Sequence, residues 1–282
     1  MRIGIIGAGQ LGQMLGFAAR DLGVECIFLD PGDSPPAAVC GDVIRGRFDD
    51  KEALLELAST CDVITYEFEN VPVEALHAIE GQVPIYPPPV ALRHSQDRLD
   101  EKRLFDRLEI PLPGYRAVDT RQDLVNAIAS LGLPLVVKTR RLGYDGKGQF
   151  VVRDAGQVDS AWDALGGTPL IAEAWVPFDY EVSCIGVRSV EGEIAIYPLA
   201  RNVHVGGILH TSCSPVEAPG LAERAESYVR RLLTHLDYVG VLALELFVCD
   251  NDLLANEFAP RVHNSGHCTR GGSDCSQLEN HI

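Results

Sequence analysis

Basic residues are scarce: 24 Lys and Arg stand against 40 Asp and Glu, a formal net charge of −16. Such a surface repels phosphate backbones, so no nucleic-acid partner is expected. Long apolar runs are missing as well. None approaches the roughly 18 to 20 residues of a membrane span, and the apolar start at Ile3 is broken by glycines without the plan of a signal peptide. No membrane partner is expected, and the chain is read as cytoplasmic. The eight cysteines include no CxxC pair, and Cys26, Cys184 and Cys249 fall within strand-like runs. That pattern suits reduced, partly buried thiols and disfavours a disulfide framework. What remains is an ordinary globular composition, 46% apolar and 23% charged over 282 residues, enough for two domains or one elaborated domain with an ample core.

What is present begins with a strand-like run, 2–7 (RIGIIG), and then Gly7, Gly9 and Gly12 in a GxGxxG spacing that leads into a helix over 11–22. Glycines so placed let the chain turn tightly and bring backbone N–H groups and a helix N-terminus up to an anion. Another strand, 25–29, ends at Asp30, near the spacing of a ribose-binding acid, so a dinucleotide-binding unit is one reading. Any other phosphate would serve the loop equally well, and a plain βα turn is the third reading. The pattern then repeats as strand 42–44, helix 50–58, strand 63–68 and helix 72–79. Strands alternating with amphipathic helices predict a parallel sheet covered on both faces. Glu67, Glu69 and Asn70 fall at its carboxyl edge, where such sheets bind ligands, or are solvated loop residues.

The run PIYPPP at 84–89 can continue neither a helix nor a central strand and reads as a connection between domains. Ser95 is placed to cap a helix over 96–108. A strand over 133–139 carries Lys138 near its end, and 140–149 (RRLGYDGKGQ) follows with three glycines and three basic residues. A Walker A loop would need GK[ST] entering a helix. This segment lacks the Ser/Thr and joins two strands, the second over 149–152, so it predicts a glycine-rich flap over a nucleotide, with Lys138 and Lys147 offsetting phosphate charge. A helix over 157–165 and a strand over 170–175 with Glu173 come next. Strands over 181–190 and 193–199 turn at Glu191-Gly192, and Arg201, Asn202 and His204 follow as loop polars or ligand contacts. The apolar stripe Leu221, Ala225, Val229, Leu232, Leu233 and Leu236 marks a helix covering a sheet.

Two apolar runs, 241–248 and 253–258, are separated by Cys249-Asp250-Asn251-Asp252, a turn-type cluster that closes a hairpin. With Asn251 at the centre of the turn, Glu245 and Glu257 fall opposite each other. Carboxylates roughly 5 Å apart repel, so the pair either faces solvent or holds a proton or cation. Mg²⁺ bound by one or two carboxylates plus substrate phosphates is the usual form of the latter. His263, His267, Cys268 and Cys275 could be zinc ligands, but Arg261 and His263 better suit anion binding and proton handling.

At this point the residues resemble a known family. GAGQLGQM at 7–14, YEFENV at 66–71, QDRLDEKRLF at 96–105, VVKTRRLGYDGKGQ at 136–149 and NEFAPRVHNSGH at 256–267 resemble the ATP-grasp enzymes, specifically the branch that makes 5-(carboxyamino)imidazole ribonucleotide in purine biosynthesis. The resemblance implies an ATP-grasp fold of mixed α/β and α+β class: a Rossmann-like substrate domain over 1–90, a subdomain with the flap over 91–170, and one with the nucleotide and metal site over 171–282. It implies an ATP-dependent, ADP-forming ligase acting on bicarbonate and 5-aminoimidazole ribonucleotide, with a homodimer as the common assembly. Arg98 and Lys138 would meet the ATP phosphates, with Gly143, Tyr144, Asp145, Gly146, Lys147, Gly148 and Gln149 as the flap. Glu173, Ala174, Trp175, Val176 and Glu181 would hold adenine and ribose, with His204 also on the nucleotide. Glu245 and Glu257, beside Asn256, would carry Mg²⁺. Arg261 and His263, with Lys138, would be catalytic, and Gly9, Gln10, Leu11, Glu67 and Asn70 would contact the ribonucleotide. Family members continue past the position of Ile282 with a small further domain and have Trp after the histidine matching His267, so the chain is read as a fragment or a natural truncation. A formate-using glycinamide ribonucleotide transformylase, a biotin carboxylase, a dehydrogenase and an inactive binding module are the rival readings.

Overall fold

The computed structural model describes residues 1–143 and 147–282. Its first layer is built from β1 (Arg2–Ile6), α1 (Gln10–Asp21), β2 (Glu25–Asp30), β3 (Asp42–Arg45), α2 (Lys51–Thr60), β4 (Val63–Tyr66), α3 (Val73–Leu76) and α4 (Pro89–Ser95). The strands pair in parallel in the order β3-β2-β1-β4. Ile5, Ile6, Phe28, Leu29 and Ile64 are fully buried, as a parallel sheet with helices on both faces requires. The helix expected over 72–79 is shorter. Beyond Leu76 the N–H groups of Ala78 and Ile79 reach back only three residues, to Ala75 and Leu76, so the segment tightens into turns.

Helix α5 (Arg98–Arg107) crosses to the rest of the molecule. Ser95 does not cap it: Ser95 ends α4, and the Asp97 side chain accepts the Leu99 N–H at 3.0 Å. An aspartate satisfies an orphan donor at a helix start as well as a serine does. A second sheet, ordered β5-β8-β6-β7 and antiparallel, contains β5 (Tyr115–Val118), β6 (Leu135–Thr139), β7 (Gln149–Val152) and β8 (Leu170–Ala174), covered by α6 (Arg121–Leu131) and α7 (Val158–Leu165). β5 and α6 went unassigned from sequence, although Leu124, Ala127, Ile128 and Leu131 follow a helical period behind the Thr120/Asp123 capping box.

The third sheet holds β9 (Tyr180–Arg188), β10 (Ile194–Ile196), β11 (Ala200–Val205), β12 (Ile208–Cys213), β13 (Gly240–Cys249) and β14 (Asp252–Ala259), with the path β12-β11-β9-β13-β14 and β10 on β9. Helix α8 (Pro219–His235) buries its stripe of Leu221, Ala225, Val229, Leu232 and Leu233 against it. Arg201, Asn202 and His204 belong to a strand, β11. Asn202 points inward, where its amide donates to Ser183 Oγ and its carbonyl accepts from Ser212 Oγ at 2.8 Å, so a polar inward residue masks the alternation.

Past a short turn, α9 (Thr269–Gly272), the helix α10 (Gln277–His281) packs against α1 and β13. The His281 ring bridges two sheets. Its Nδ1 accepts the Val241 N–H at 3.1 Å, which leaves the proton on Nε2, 2.8 Å from Thr65 Oγ1. Burial lowers the ring to about 4, against about 6.5 for an unfolded histidine. A depressed pKa means that this stabilisation is complete above pH 6.5 and is lost as pH falls toward 4, by on the order of 2 to 3 kcal/mol. The Tm advantage of the native protein over His281→Gln should therefore be largest near pH 7.5 and shrink across that window. A pH-independent difference in calorimetric scans would refute it.

Candidate active site

The N-terminus of α5 is fastened to the end of β6. Arg140 forks both Asp97 oxygens, Nε to Oδ1 at 2.9 Å and Nη2 to Oδ2 at 2.6 Å, and the Arg98 N–H donates to the Arg140 carbonyl at 2.9 Å. Arg98, Glu101 and Lys102, at i, i+3 and i+4, then share one helix face. Opposite them, β6 and β8 pair Val136 with Glu173 and Lys138 with Ile171, which places Lys138 and Glu173 diagonally on one face, 2.8 Å apart. Lys102, wholly buried, stands 3.8 Å from the other Glu173 oxygen. Burial would raise the Glu173 carboxyl, but Lys102 and Lys138 outweigh it and hold it at about 2.

The hairpin supplies the facing carboxylates. Asp250 and Asn251 both have positive φ, 48° and 65°, and close a two-residue turn between Cys249 and Asp252. That turn centres between Asp250 and Asn251 and would set Glu245 opposite Asn256. A β-bulge between Glu245 and Leu246 shifts the register and puts Glu245 opposite Glu257, as expected but by a different route. Glu257 keeps 40% of its side chain open and pairs with Arg98 Nη1 at 2.7 Å. Desolvation opposes its charge, yet Arg98, then Lys138 and Lys102, draw it down to about 2. Glu245 Oε1 meets His263 Nε2 at 2.8 Å, and His263 Nδ1 lies 2.8 Å from Ser265 Oγ.

Around this centre, Arg261 Nε binds Glu69 Oε2 at 2.6 Å, and although burial would raise the Glu69 carboxyl, Arg261 keeps it lowered. His204 Nδ1 lies 2.7 Å from Glu181 Oε2, a hydrogen bond that raises the imidazole, with Glu245 and Glu257 adding to it. Ala174 ends β8, and Trp175 and Val176 begin the link to β9, with Trp175 exposed. At the flap, Arg98 Nη2 donates to the Gly143 carbonyl at 3.4 Å, and the Thr139 N–H donates to the Gly148 carbonyl at 2.8 Å. Gly148 has φ +73°, and a Cβ there would come within 2.6 Å of Thr139 Oγ1, so only glycine fits. Lys147 precedes β7, Gln149 is its first residue, and Tyr144, Asp145 and Gly146 lie outside the described residues.

The glycine loop differs from its expected use. The Gly9 N–H donates to Glu67 Oε1 at 2.5 Å, the Gly12 N–H to Glu67 Oε2, and the Ala8 N–H to Asp30 Oδ2 at 2.9 Å. The loop's anion is thus the protein's own: Glu67 is buried with both oxygens engaged, burial raising its carboxyl and the two amides opposing this. These three amides are not open to a phosphate, and Asp30, bonded to Ala8 and Gly32, is not placed as a ribose acid. Gln10 and Asn70 are exposed and Leu11 is half-buried. Glu69, two residues beyond Glu67, is the carboxylate that reaches Arg261.

A cation would find oxygen donors here. Besides Glu245 and Glu257, the Asn256 Oδ1 atom is buried and accepts no hydrogen bond from the described residues. That donor set fits Mg²⁺ completing its shell with ligand oxygens. Among the described residues no group of three or more His, Cys, Asp or Glu could hold a metal, so His263, His267, Cys268 and Cys275 do not form a zinc site. The residues missed from sequence are Asp97, Glu101 and Lys102. The available signal was Asp97 as a capping residue and Glu101 and Lys102 beside Leu104 and Phe105 on a short, strongly charged helix.

Two antiparallel sheets, one presenting the Glu245/Glu257 pair and the other Lys138 beside Glu173, define an ATP-grasp enzyme. The ATP-grasp domain model matches residues 103–278, and the ribonucleotide synthetase preATP-grasp domain model matches 1–96. The N5-carboxyaminoimidazole ribonucleotide synthase of Pseudomonas aeruginosa is 49% identical over all of this chain and 78% of its own length. The solved N5-carboxyaminoimidazole ribonucleotide synthetase of Thermus thermophilus superposes with a TM-score of 0.95 at 49% identity, over 99% of this chain and 76% of that one. A synthase from Aspergillus clavatus, solved in complex with ADP and 5-aminoimidazole ribonucleotide, gives 0.92 at 31%, over 99% and 75%. The chain belongs to the N5-carboxyaminoimidazole ribonucleotide synthase family.

Replacing Glu67 with Ala strands two loop amides and should destabilise the protein by roughly 2 kcal/mol or more. Inorganic phosphate should raise the Tm of Glu67→Ala by more than that of the native protein, as read by thermal shift. Equal phosphate responses would disprove the internal-anion reading.

Proposed function

We propose that this chain is an ATP-dependent ligase that carboxylates the 5-amino group of 5-aminoimidazole ribonucleotide with bicarbonate, forming ADP, phosphate and 5-(carboxyamino)imidazole ribonucleotide in purine biosynthesis. The observation that carries it is the facing Glu245/Glu257 pair, held by Arg98 and His263 across from Lys138 and Glu173. Family membership supplies the substrate class: one relative's structure holds ADP and 5-aminoimidazole ribonucleotide.

Arg98 and Lys138 are cations paired with carboxylates of the site itself, and arriving ATP phosphates compete for them. Glu245, Glu257 and Asn256 would hold Mg²⁺, which supplies charge neutralisation on the phosphates. Bicarbonate oxygen attacks the γ-phosphorus and ADP leaves, giving carboxyphosphate. The 5-amino nitrogen then captures its carbonyl carbon, directly or as released CO₂, phosphate departs, and the amine gives up a proton. Arg261 is suited to hold the carboxylate. His263, set by Ser265 and Glu245, is suited to position it or take the proton. Ala174, Trp175, Val176, Glu181 and His204 fall to the base and ribose, and the 143–149 segment to the phosphates. The Gly9–Leu11 turn and Asn70 are left to the ribonucleotide's rim. A cytoplasmic setting and a homodimer complete the reading.

ADP release measured with ATP, Mg²⁺ and bicarbonate should rise at least tenfold on adding 5-aminoimidazole ribonucleotide, and not with formate plus glycinamide ribonucleotide. Glu257→Gln should lower that rate by a factor on the order of 10³ while leaving the circular dichroism unchanged. Near-native turnover in that variant would sink the assignment of the pair.

A further inference from the structure

Glu257 sits on β14, the edge strand of its sheet, at a bulge. Both features make its position insecure. An edge strand leaves one row of backbone groups outside the ladder, and a one-residue slip sends a side chain to the other face. Continuing the register set by the turn would put Asn256 opposite Glu245 and Glu257 opposite Leu244, turned away from the cleft.

Two neighbouring side chains of α5 meet this edge on either side of Glu257. Lys102 Nζ donates to the Asn256 carbonyl, the peptide group before Glu257. Glu101 Oε1 accepts the Phe258 N–H at 2.7 Å, the peptide group after it. Arg98, on the same helix face, takes the carboxylate. Glu101 is 2% exposed and Lys102 is fully buried. Burying an acid and a base costs more than an apolar pair would if packing were their only task. Neither residue reaches the open cleft, so neither is placed to touch substrate.

We infer that Glu101 and Lys102 are positioning residues: they clamp the two peptide groups flanking Glu257 and so hold the bulge that keeps this carboxylate opposite Glu245. The inference rests on the proposed role of Glu257. It separates the tasks on α5, because Arg98 can leave Glu257 for a phosphate while the main chain stays fixed by the next turn of the helix.

The test compares Glu101→Leu, Glu101→Gln and Lys102→Met. Glu101→Gln keeps an acceptor oxygen for Phe258, and Glu101→Leu does not. In Glu101→Leu and Lys102→Met, hydrogen exchange at the 252–259 segment, measured without nucleotide or metal, should speed up at least tenfold relative to 180–188. The Mg²⁺ concentration for half-maximal ADP formation should rise at least tenfold, with the KM for 5-aminoimidazole ribonucleotide within twofold. Glu101→Gln should recover most of both effects. Exchange that rises equally in both segments, or an unchanged Mg²⁺ requirement in folded protein, would reduce the two residues to ordinary packing and overturn the inference. Should Lys102→Met not fold, the two Glu101 variants decide. If the native protein forms no ADP with this substrate, the proposed function fails, while exchange still reports on the clamp.

Discussion

The constraint on which the site depends is the containment of negative charge in a chain that has an excess of it. Glu173, Glu257 and Glu69 are each met by a cation, Lys138 with Lys102, Arg98 and Arg261, and Glu245 is met by the His263 ring. Left unpaired in such a setting, carboxylates would take up protons instead. Glu173 and Glu257 are instead held near 2, so these two stay charged at any pH where the protein works. The cations that do this are drawn from three different layers of the fold. The sheets are therefore joined through their charges as well as through their apolar faces.

This pairing has a functional sense. A surface at −16 offers an incoming triphosphate little general attraction. Attraction has to be local, and here it is stored in ion pairs that a phosphate or a cation can exchange. A divalent cation taken by Glu245 and Glu257 would free Arg98 and His263, the groups best placed to meet anionic oxygens. The free enzyme's ion pairs and those with ligand bound are thus alternative partners of one set of side chains. Little rearrangement of the backbone is needed for that exchange, which is the basis of preorganised electrostatic catalysis.

Legibility in the sequence followed the strength of local signals. The parallel βα layer and the hairpin were readable as apolar runs bounded by glycine and turn-type residues, and the α8 stripe by its 3.6-residue period. The Glu245/Glu257 pairing was readable too, though the turn centre assumed for it was half a residue off and the bulge made up the difference. β11 was hidden by the inward Asn202, whose partners Ser183 and Ser212 are distant in sequence. The break between α4 and α5 was hidden because Ser95 and Asp97 are both competent caps. The glycine loop shows the limit of a motif: GxGxxG promises N–H donors for an anion, and the spacing cannot say that Glu67, 55 residues beyond Gly12, bonds two of them. A motif displays which groups are available, and only the fold shows whether they are already taken.

The same reasoning explains why the α5 residues carry more of the site than their sequence suggests. Arg98, Glu101 and Lys102 look like the polar face of a surface helix with mixed charges. Once α5 is tied through Asp97 to Arg140 and laid along the edge of β14, that face is enclosed, and each polar atom must find a specific partner. Asn256 and Phe258 supply those partners through their main chain, which no side-chain pattern could reveal. Enclosure turns an ordinary solvated face into a frame that fixes the position of one carboxylate. The cost of burying Glu101 beside Lys102 is thereby met by hydrogen bonds that a surface helix would have made to water.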